Sequence, residues 1–240
     1  MTSPIKRRAL ITGASSGIGK ATALAFAKTG IDVALVSRSQ DKLESVATAA
    51  REVEVNAKAY VLDLAKIEQV KTGIEAIAAD FGPVDILVNN AGMGYINSVL
   101  ETPLADWQRV IDLNLTSVFQ CIQGILPVMR QQQHGTIINV ASIAGGQQTF
   151  PNWSAYSVSK AGLIALSKTL AAEERDRGIR VITLSPGAVN TPIWDTVNAD
   201  FNRSAMLTPE IVAESILHAV LMPEQAVIES ITLMPSAGTL

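Results

Sequence analysis

Short runs of apolar and β-branched residues alternate along this chain with longer segments in which apolar residues recur every three or four positions. The short runs are typical of strands, and the longer period is typical of amphipathic helices. The short runs predict strands at Ala9–Thr12, Asp32–Ser37, Ala59–Asp63, Ile86–Asn89, Thr136–Ala141, Arg180–Ser185 and Ser230–Met234. The longer segments predict helices at Ile18–Lys28, Gln40–Ala50, Ile67–Asp80, Ala105–Arg130, Ala155–Arg177 and Pro209–Leu221.

Several predicted strands are apolar almost throughout, as in Asp32–Ser37. Such strands indicate burial on both faces, which is expected in a parallel sheet covered by helices. The alternation of strand and helix predicts an α/β fold: a single doubly wound parallel sheet of the Rossmann type, with helices on both faces and right-handed crossovers. Because no Pro- or Ser-rich linker divides the chain, we expect one domain over residues 1–240.

Glycines lie where predicted helices give way to strands. A residue in the left-handed conformation often ends a helix, and glycine adopts that conformation at little cost. We therefore expect left-handed helix ends near Gly30, Gly82, Gly135 and Gly178.

Composition and charge exclude several classes of function. The net charge of −3 over 240 residues does not favour nucleic-acid binding. Cys121 is the only cysteine, which excludes an internal disulfide and a Cys-based zinc site, so we expect no metal. No apolar run approaches about 20 residues and no signal-peptide pattern is apparent, so we expect a cytoplasmic protein without a membrane span.

A glycine-rich turn, Thr12–Gly19, follows the first predicted strand and opens the first predicted helix. Glycines at such a turn let backbone N–H groups approach the pyrophosphate of a dinucleotide. The same residues also fit the G-x-S-x-G turn of serine hydrolases. That alternative is poor because only 12 residues precede Gly13, too few for the strands such a hydrolase needs, and His134 and His218 lack an orienting motif.

The end of the second predicted strand indicates which dinucleotide is bound. An NAD-binding fold usually has an acidic residue there, about 20 residues beyond the glycines, for the ribose hydroxyls. Here Ser37 takes that place and Arg38 follows it. Because a guanidinium matches a phosphate, these residues favour NADP(H) over NAD(H).

Tyr156 and Lys160 are four residues apart, so a helix would place both side chains on one face. An ammonium close to a phenol favours the phenolate, and we expect Lys160 to lower the pKa of Tyr156. Such a phenol would act as a general acid or base toward a carbonyl or alcohol oxygen.

Taken together and in order, the motifs resemble those of the short-chain dehydrogenase/reductase family over nearly the whole chain. They are Thr12–Gly19, Asp63, Asn89–Gly92, Asn114, Ser142, Tyr156–Lys160 and Pro186–Thr191. The resemblance implies a catalytic set of Asn114, Ser142, Tyr156 and Lys160. It implies that Asn114 kinks its helix and holds a water that leads to Lys160; the alternative from the sequence is a surface-facing amide.

The resemblance, with the cofactor argument above, implies that one set of residues binds NADP(H). These residues are Gly13, Ser15, Ser16, Gly17, Ile18, Gly19, Ser37, Arg38, Asp63, Leu64, Asn90, Ala91, Gly92, Tyr156, Lys160, Pro186, Gly187, Val189 and Thr191. Asp63 would contact the adenine, and Thr191 with the Val189 backbone would hold the nicotinamide carboxamide.

The expected reaction is hydride transfer between a nicotinamide and a ketone or secondary alcohol, as in carbonyl reductases. Two alternatives stay open: a 3-oxoacyl-[acyl-carrier-protein] reductase, whose usual Gly-Gly ending differs from the ending of this chain, and a non-catalytic redox sensor. Residues 188–208 are expected to form a substrate lid, and the resemblance implies a homo-oligomer, a dimer or a homotetramer. The expected pocket walls, which packing in the core would explain equally well, are Met93, Gln148, Phe150, Trp153, Trp194 and the segment Ile193–Leu207.

Overall fold

The protein, seen here as a computed structural model that describes residues 6–196 and 202–238, is built on one seven-stranded sheet. All strand pairs are parallel, in the order β3-β2-β1-β4-β5-β6-β7. The strands are β1 Arg8–Thr12, β2 Asp32–Ser37, β3 Ala57–Val61, β4 Ile86–Asn89, β5 Gly135–Val140, β6 Ile179–Pro186 and β7 Ser230–Leu233.

Helices cover both faces of the sheet. They are α1 Gly17–Lys28, α2 Gln40–Arg51, α3 Ile67–Phe81, α4 Leu104–Ile111, α5 Ser117–Gln132, α6 Ser154–Glu174 and α7 Pro209–Val220. The apolar sides of α1, α2 and α7 share one buried cluster with the sheet, and those of α3, α5 and α6 share the other. The predicted doubly wound Rossmann-type fold is therefore confirmed.

The predicted helix Ala105–Arg130 is helical throughout, but it is not one regular α-helix. A π-helical turn, Asp112–Thr116, separates α4 from α5. The last turn of the predicted helix Ala155–Arg177 is likewise not α-helical, since Arg175–Arg177 form a 3₁₀ turn after α6.

The glycine predictions had mixed outcomes. Gly30, Gly82 and Gly178 have positive φ angles of 82°, 103° and 70°. At the end of α5 the left-handed residue is Gln133 (φ 52°), not Gly135. Gly135 is needed for packing instead, because a Cβ there would lie 2.5 Å from Met129 Sδ.

Within the described ranges, no helix is both long enough and apolar enough to cross a membrane. The same residues contain no group of three or more His, Cys, Asp or Glu side chains arranged to hold a metal ion.

Candidate active site

The glycine turn is held against the end of β4. Gly13 and Gly17 have positive φ angles of 67° and 52°, which glycine adopts readily. The Asn90 side chain donates to the Thr12 carbonyl at 2.9 Å, and Thr12 Oγ1 accepts from the Asn90 N–H at 3.0 Å. A Cβ on Gly13 would lie 2.8 Å from Asn90 Nδ2, so the close approach requires glycine.

The N-terminus of α1 opens directly from this turn. Ser16 precedes the helix in an extended conformation, and its side chain makes no capping hydrogen bond within the described residues. The first N–H groups of a helix have no partner within the helix and carry a partial positive charge. This end of α1 is therefore suited to bind an anion such as a pyrophosphate.

A cleft of about 1180 Å³ runs along the carboxyl ends of the strands from the glycine turn to Tyr156. This edge is where open parallel sheets bind their ligands. Most of the residues predicted from the sequence line it, namely Gly13, Ser15, Ser16, Gly17, Ile18, Ser37, Arg38, Asp63, Leu64, Asn90, Ala91, Gly92, Ser142, Tyr156, Lys160, Pro186, Gly187, Val189 and Thr191. Gly19 and Asn114 are not part of the lining, although both pack directly behind it.

Two cations lie at the β2 end of the cleft. Arg38 is exposed and makes no hydrogen bond or ion pair with any other described residue. Lys42, in the first turn of α2, also lines the cleft. Lys42 was not predicted from the sequence, although its spacing of four residues from Arg38 was a usable signal.

Asp63 lies beyond the end of β3, because that strand ends at Val61 and not at Asp63 as predicted. Its Oδ1 accepts from the Ala65 N–H at 3.1 Å, which stabilises a local turn. The carboxylate therefore has a structural partner as well as a position on the cleft.

Lys160 is buried, with 5% of its surface exposed, and its Nζ donates to the Val140 carbonyl at 2.8 Å. Burial lowers the pKa of Lys160 to about 8, because desolvation disfavours the charged form. The ammonium lies 5.7 Å from the centroid of the Tyr156 ring.

The prediction that Lys160 lowers the pKa of Tyr156 is wrong. Burial raises the pKa of Tyr156, and a hydrogen bond with Ser142 opposes that rise without reversing it. Lys160 is not among the causes of the shift. Tyr156 is therefore a protonated phenol at neutral pH, and its hydroxyl is a proton donor.

Ser142 follows β5 and begins a short 3₁₀ turn, Ile143–Gly145. Its Oγ accepts from the Ala144 N–H at 3.2 Å. This contact fixes the serine at the end of a central strand and within hydrogen-bonding reach of Tyr156.

Asn114 is completely buried in the π-helical turn, which excludes the surface-facing alternative. Its Oδ1 accepts from the Met93 N–H at 2.8 Å, and its Nδ2 donates to Ser159 Oγ at 3.1 Å. Ser159 in turn donates to the Tyr156 carbonyl at 2.7 Å. A π-helical turn thus lies where a local kink was predicted, and the side chain connects the β4 loop to the first turn of α6. Its relay through water to Lys160 stays a prediction.

The other end of the cleft is mostly apolar. Of the predicted pocket walls, Met93, Phe150, Trp153 and Trp194 line it, whereas Gln148 does not. Gln148 is exposed because its loop turns away after the 3₁₀ turn, with its N–H bonded to the Ile143 carbonyl at 2.9 Å. Residues that the sequence argument missed here are Tyr95, Ile96, Arg109 and Leu113.

The predicted lid is described only in part. Residues 197–201 lie outside the described ranges, and the role of residues 188–208 as a lid stays a prediction. After the gap, Leu207 is buried and donates its N–H to the Ala188 carbonyl at 2.9 Å. Arg203 forms an ion pair with Asp195.

Comparisons with known proteins agree with this geometry. The family model described as short chain dehydrogenase matches residues 7–202. The 3-oxoacyl-[acyl-carrier-protein] reductase of Synechocystis is 40% identical over 202 residues, covering 83% of this chain and 81% of that protein. An alcohol dehydrogenase from Thermococcus sibiricus, solved in complex with 5-hydroxy-NADP, superposes with a TM-score of 0.90 at 29% identity and covers 98% of this chain and 99% of its own. A variant of actinorhodin polyketide ketoreductase, solved with NADPH, has a TM-score of 0.87 at 28% identity, with 100% of both chains covered.

The family model spans most of the chain, and strands β1 to β6, the glycine turn and the Tyr156–Lys160 pair all lie within the matched residues. This chain therefore belongs to the short-chain dehydrogenase/reductase family of oxidoreductases.

Proposed function

We propose that this protein is an NADP(H)-dependent oxidoreductase that interconverts a ketone and a secondary alcohol, with Tyr156 as general acid and base. The observation that carries the proposal is the convergence of Tyr156, Ser142 and Lys160 on one cleft with the glycine turn and Arg38. The first three residues are suited to proton transfer, and the last two features are suited to a phosphorylated dinucleotide.

The cleft fits such a dinucleotide. The glycine turn packs closely on the β4 end of the cleft, because a Cβ on Gly13 would lie 2.8 Å from Asn90 Nδ2, and the open N-terminus of α1 offers N–H groups to a pyrophosphate. Arg38 and Lys42 would hold the 2′-phosphate, and Thr191 with the Val189 backbone would hold the carboxamide. The neighbours solved with 5-hydroxy-NADP and NADPH support the choice of NADP(H). When bound, the dinucleotide supplies or accepts the hydride.

Tyr156 donates its proton to the carbonyl oxygen as negative charge develops there. Because burial raises its pKa, the phenol holds its proton at neutral pH and is prepared for reduction of a ketone. Ser142 donates a hydrogen bond to the same oxygen. Lys160, whose Nζ lies 5.7 Å from the ring centroid, stabilises the phenolate that remains after the transfer.

Asn114 acts as a positioning residue, since it does not line the cleft. Its bonds to Met93 and Ser159 hold the β4 loop and the first turn of α6 in register. Ser159 also donates to the Tyr156 carbonyl, so the orientation of the phenol depends on these contacts of Asn114.

A second candidate function is reduction of a 3-oxoacyl thioester carried by acyl carrier protein. The Synechocystis relative and a Thermotoga maritima relative, 37% identical over 216 residues, are named as reductases of this kind. A non-catalytic redox sensor is the alternative from another class. It is the weaker one, because a sensor has no need for an intact Tyr156, Lys160 and Ser142.

The test is oxidation of NADPH by the purified protein with a panel of neutral ketones and a 3-oxobutyryl thioester, repeated with NADH. We expect turnover of ketones with NADPH, and a loss of at least about 100-fold in Tyr156→Phe with cofactor binding retained. A strong preference for the thioester would favour the second candidate. Tight NADPH binding without turnover of any compound would favour the sensor and refute the proposal.

The proposed assembly is a homodimer or homotetramer. Phe119 on α5 and Val158 on α6 are 44% and 47% exposed, although both helices pack on the sheet with their other sides. Apolar side chains left uncovered on both helices support pairing with a second copy.

A further inference from the structure

Four aromatic rings form a continuous wall at the substrate end of the cleft. The aromatic wall consists of Tyr156, Trp153, Trp194 and Phe150. The Trp153 ring centroid lies 5.2 Å from that of Tyr156, 6.0 Å from that of Trp194 and 6.3 Å from that of Phe150. The wall therefore starts at the proton donor and extends away from it.

Backbone contacts hold the wall in place. Trp153 is the residue before α6, and its carbonyl accepts from the Ser157 N–H at 2.8 Å. The Trp194 indole N–H donates to the Val189 carbonyl at 2.8 Å, which fixes that ring. Because these rings are ordered before a ligand arrives, a flat apolar group can pack on them with little entropic cost.

Apolar side chains outside the aromatic wall also line the cleft, among them Met93, Ile96 and Leu113. Arg109 is a cation of the same lining, and its Nη2 lies 3.1 Å from Asp106 Oδ1. The hydroxyl of Tyr95 donates to the other oxygen of the same carboxylate at 3.1 Å, so the carboxylate holds both groups.

The two cations that are suited to a phosphate lie elsewhere. Arg38 follows β2, whereas Tyr156 lies beyond β5, and β1 and β4 separate those strands in the sheet. Three inter-strand spacings amount to roughly 14 Å. The other cations in the lining already have partners, since Lys160 donates to the Val140 carbonyl and Arg109 is paired with Asp106. A carboxylate or phosphate next to the reacting carbonyl would therefore have to compete with these partners.

We infer that the substrate is a neutral ketone, or the corresponding alcohol, with an aromatic group attached at or near the reacting carbon. The ring packs on Trp153 and Trp194 while the carbonyl oxygen meets Tyr156. This inference rests on the proposed function and deepens it by naming the substrate class.

The experiment compares kcat/KM for three ketones with NADPH: a phenyl ketone, an aliphatic ketone of similar size, and an aliphatic ketone bearing a carboxylate. We expect the wild-type protein to prefer the phenyl ketone by at least about tenfold, the factor for 1.4 kcal/mol of transition-state binding. Trp153→Leu and Trp194→Leu keep an apolar side chain and remove the flat ring. Each variant should lower the ratio of phenyl to aliphatic kcat/KM by about tenfold.

Trp107→Leu is the matched control, because Trp107 lies in α4 and does not line the cleft. Its ratio of phenyl to aliphatic kcat/KM should equal that of the wild type. Equal use of all three ketones, or a preference for the carboxylate, would overturn the inference while the proposed function stands. The inference is also overturned if Trp153→Leu and Trp194→Leu both keep the wild-type ratio. Absence of turnover with every ketone would overturn the proposed function, and the inference with it.

Discussion

Replacing Lys160 with methionine should stabilise the folded protein at neutral pH while abolishing turnover. The wild-type fold buries the ammonium, and burial lowers the pKa of Lys160 to about 8. The unfolded chain binds the same proton with an ordinary lysine pKa near 10.4. The folded state therefore pays a free-energy cost for holding this charge, and methionine removes that cost.

The size of the effect follows from the two pKa values. A difference of about 2.4 units at about 1.36 kcal/mol per unit corresponds to about 3 kcal/mol. Since the pKa of the folded state is the lower one, the cost is fully present below pH 8. It declines as the pH rises from 8 toward 10.4, where the unfolded chain also loses the proton. Methionine also loses the hydrogen bond to the Val140 carbonyl (2.8 Å), which costs about 1 to 2 kcal/mol. The net gain expected at pH 7 is about 1 to 2 kcal/mol.

The measurement is urea denaturation without cofactor, at pH 7 and pH 10 and at one protein concentration. The advantage of Lys160→Met over the wild type should fall by about 2 to 3 kcal/mol between these pH values. The lost hydrogen bond affects both values equally and cancels in this difference. Lys168→Met changes an exposed lysine on the same helix and should show no such pH dependence. The reasoning is refuted if the stability difference for Lys160→Met is the same at both pH values.

Four further predictions follow from the site and the fold. Arg38→Asp should weaken NADPH binding at least about tenfold more than NADH binding, as measured by fluorescence titration. The substitution replaces a guanidinium that matches the 2′-phosphate with a carboxylate, whose charge has the same sign as that of the phosphate. Equal losses would contradict the cofactor assignment. Gly19→Ala should abolish dinucleotide binding, since its Cβ would collide with the Gly13 carbonyl, and calorimetry showing wild-type affinity would contradict this reading of the turn. Glu174→Gln should lower the free energy of unfolding by about 1 to 3 kcal/mol at pH 7. Hydrogen bonding from Arg130 lowers the pKa of this buried carboxyl, so the stabilisation is present above about pH 4.3, and the difference from wild type should shrink as the pH falls below that value; a pH-independent difference would show that the charge is irrelevant. Size-exclusion chromatography with light scattering should give a dimer or tetramer, and a 25.4 kDa species would refute the proposed assembly.

Local spacing in the sequence was sufficient for much of the fold and the site. The alternation of apolar runs and helical periods predicted the parallel sheet, since strands and helices each have a characteristic spacing of apolar residues. The separation of Tyr156 and Lys160 predicted that both lie on one side of α6. The glycine turn was likewise readable, because a positive φ at Gly13 is a property of the backbone at that position.

Errors arose where partners distant in sequence decide the outcome. The pattern from 105 to 130 is helical throughout, yet the chain forms a π-helical turn in which Asn114 bonds to Met93 and Ser159. Gly135 looked like a helix end, but the Met129 side chain is what excludes a Cβ there.

The active site also combines features that depend on local spacing with features that depend on segments distant in sequence. The spacing of Tyr156 and Lys160 was enough to predict that a phenol and an ammonium share one helix face, because helical spacing is local. The direction of the pKa shift at Tyr156, which is upward, depends on the folded arrangement of the chain. Desolvation is produced by all the segments that pack around a group, and those segments come from distant parts of the chain.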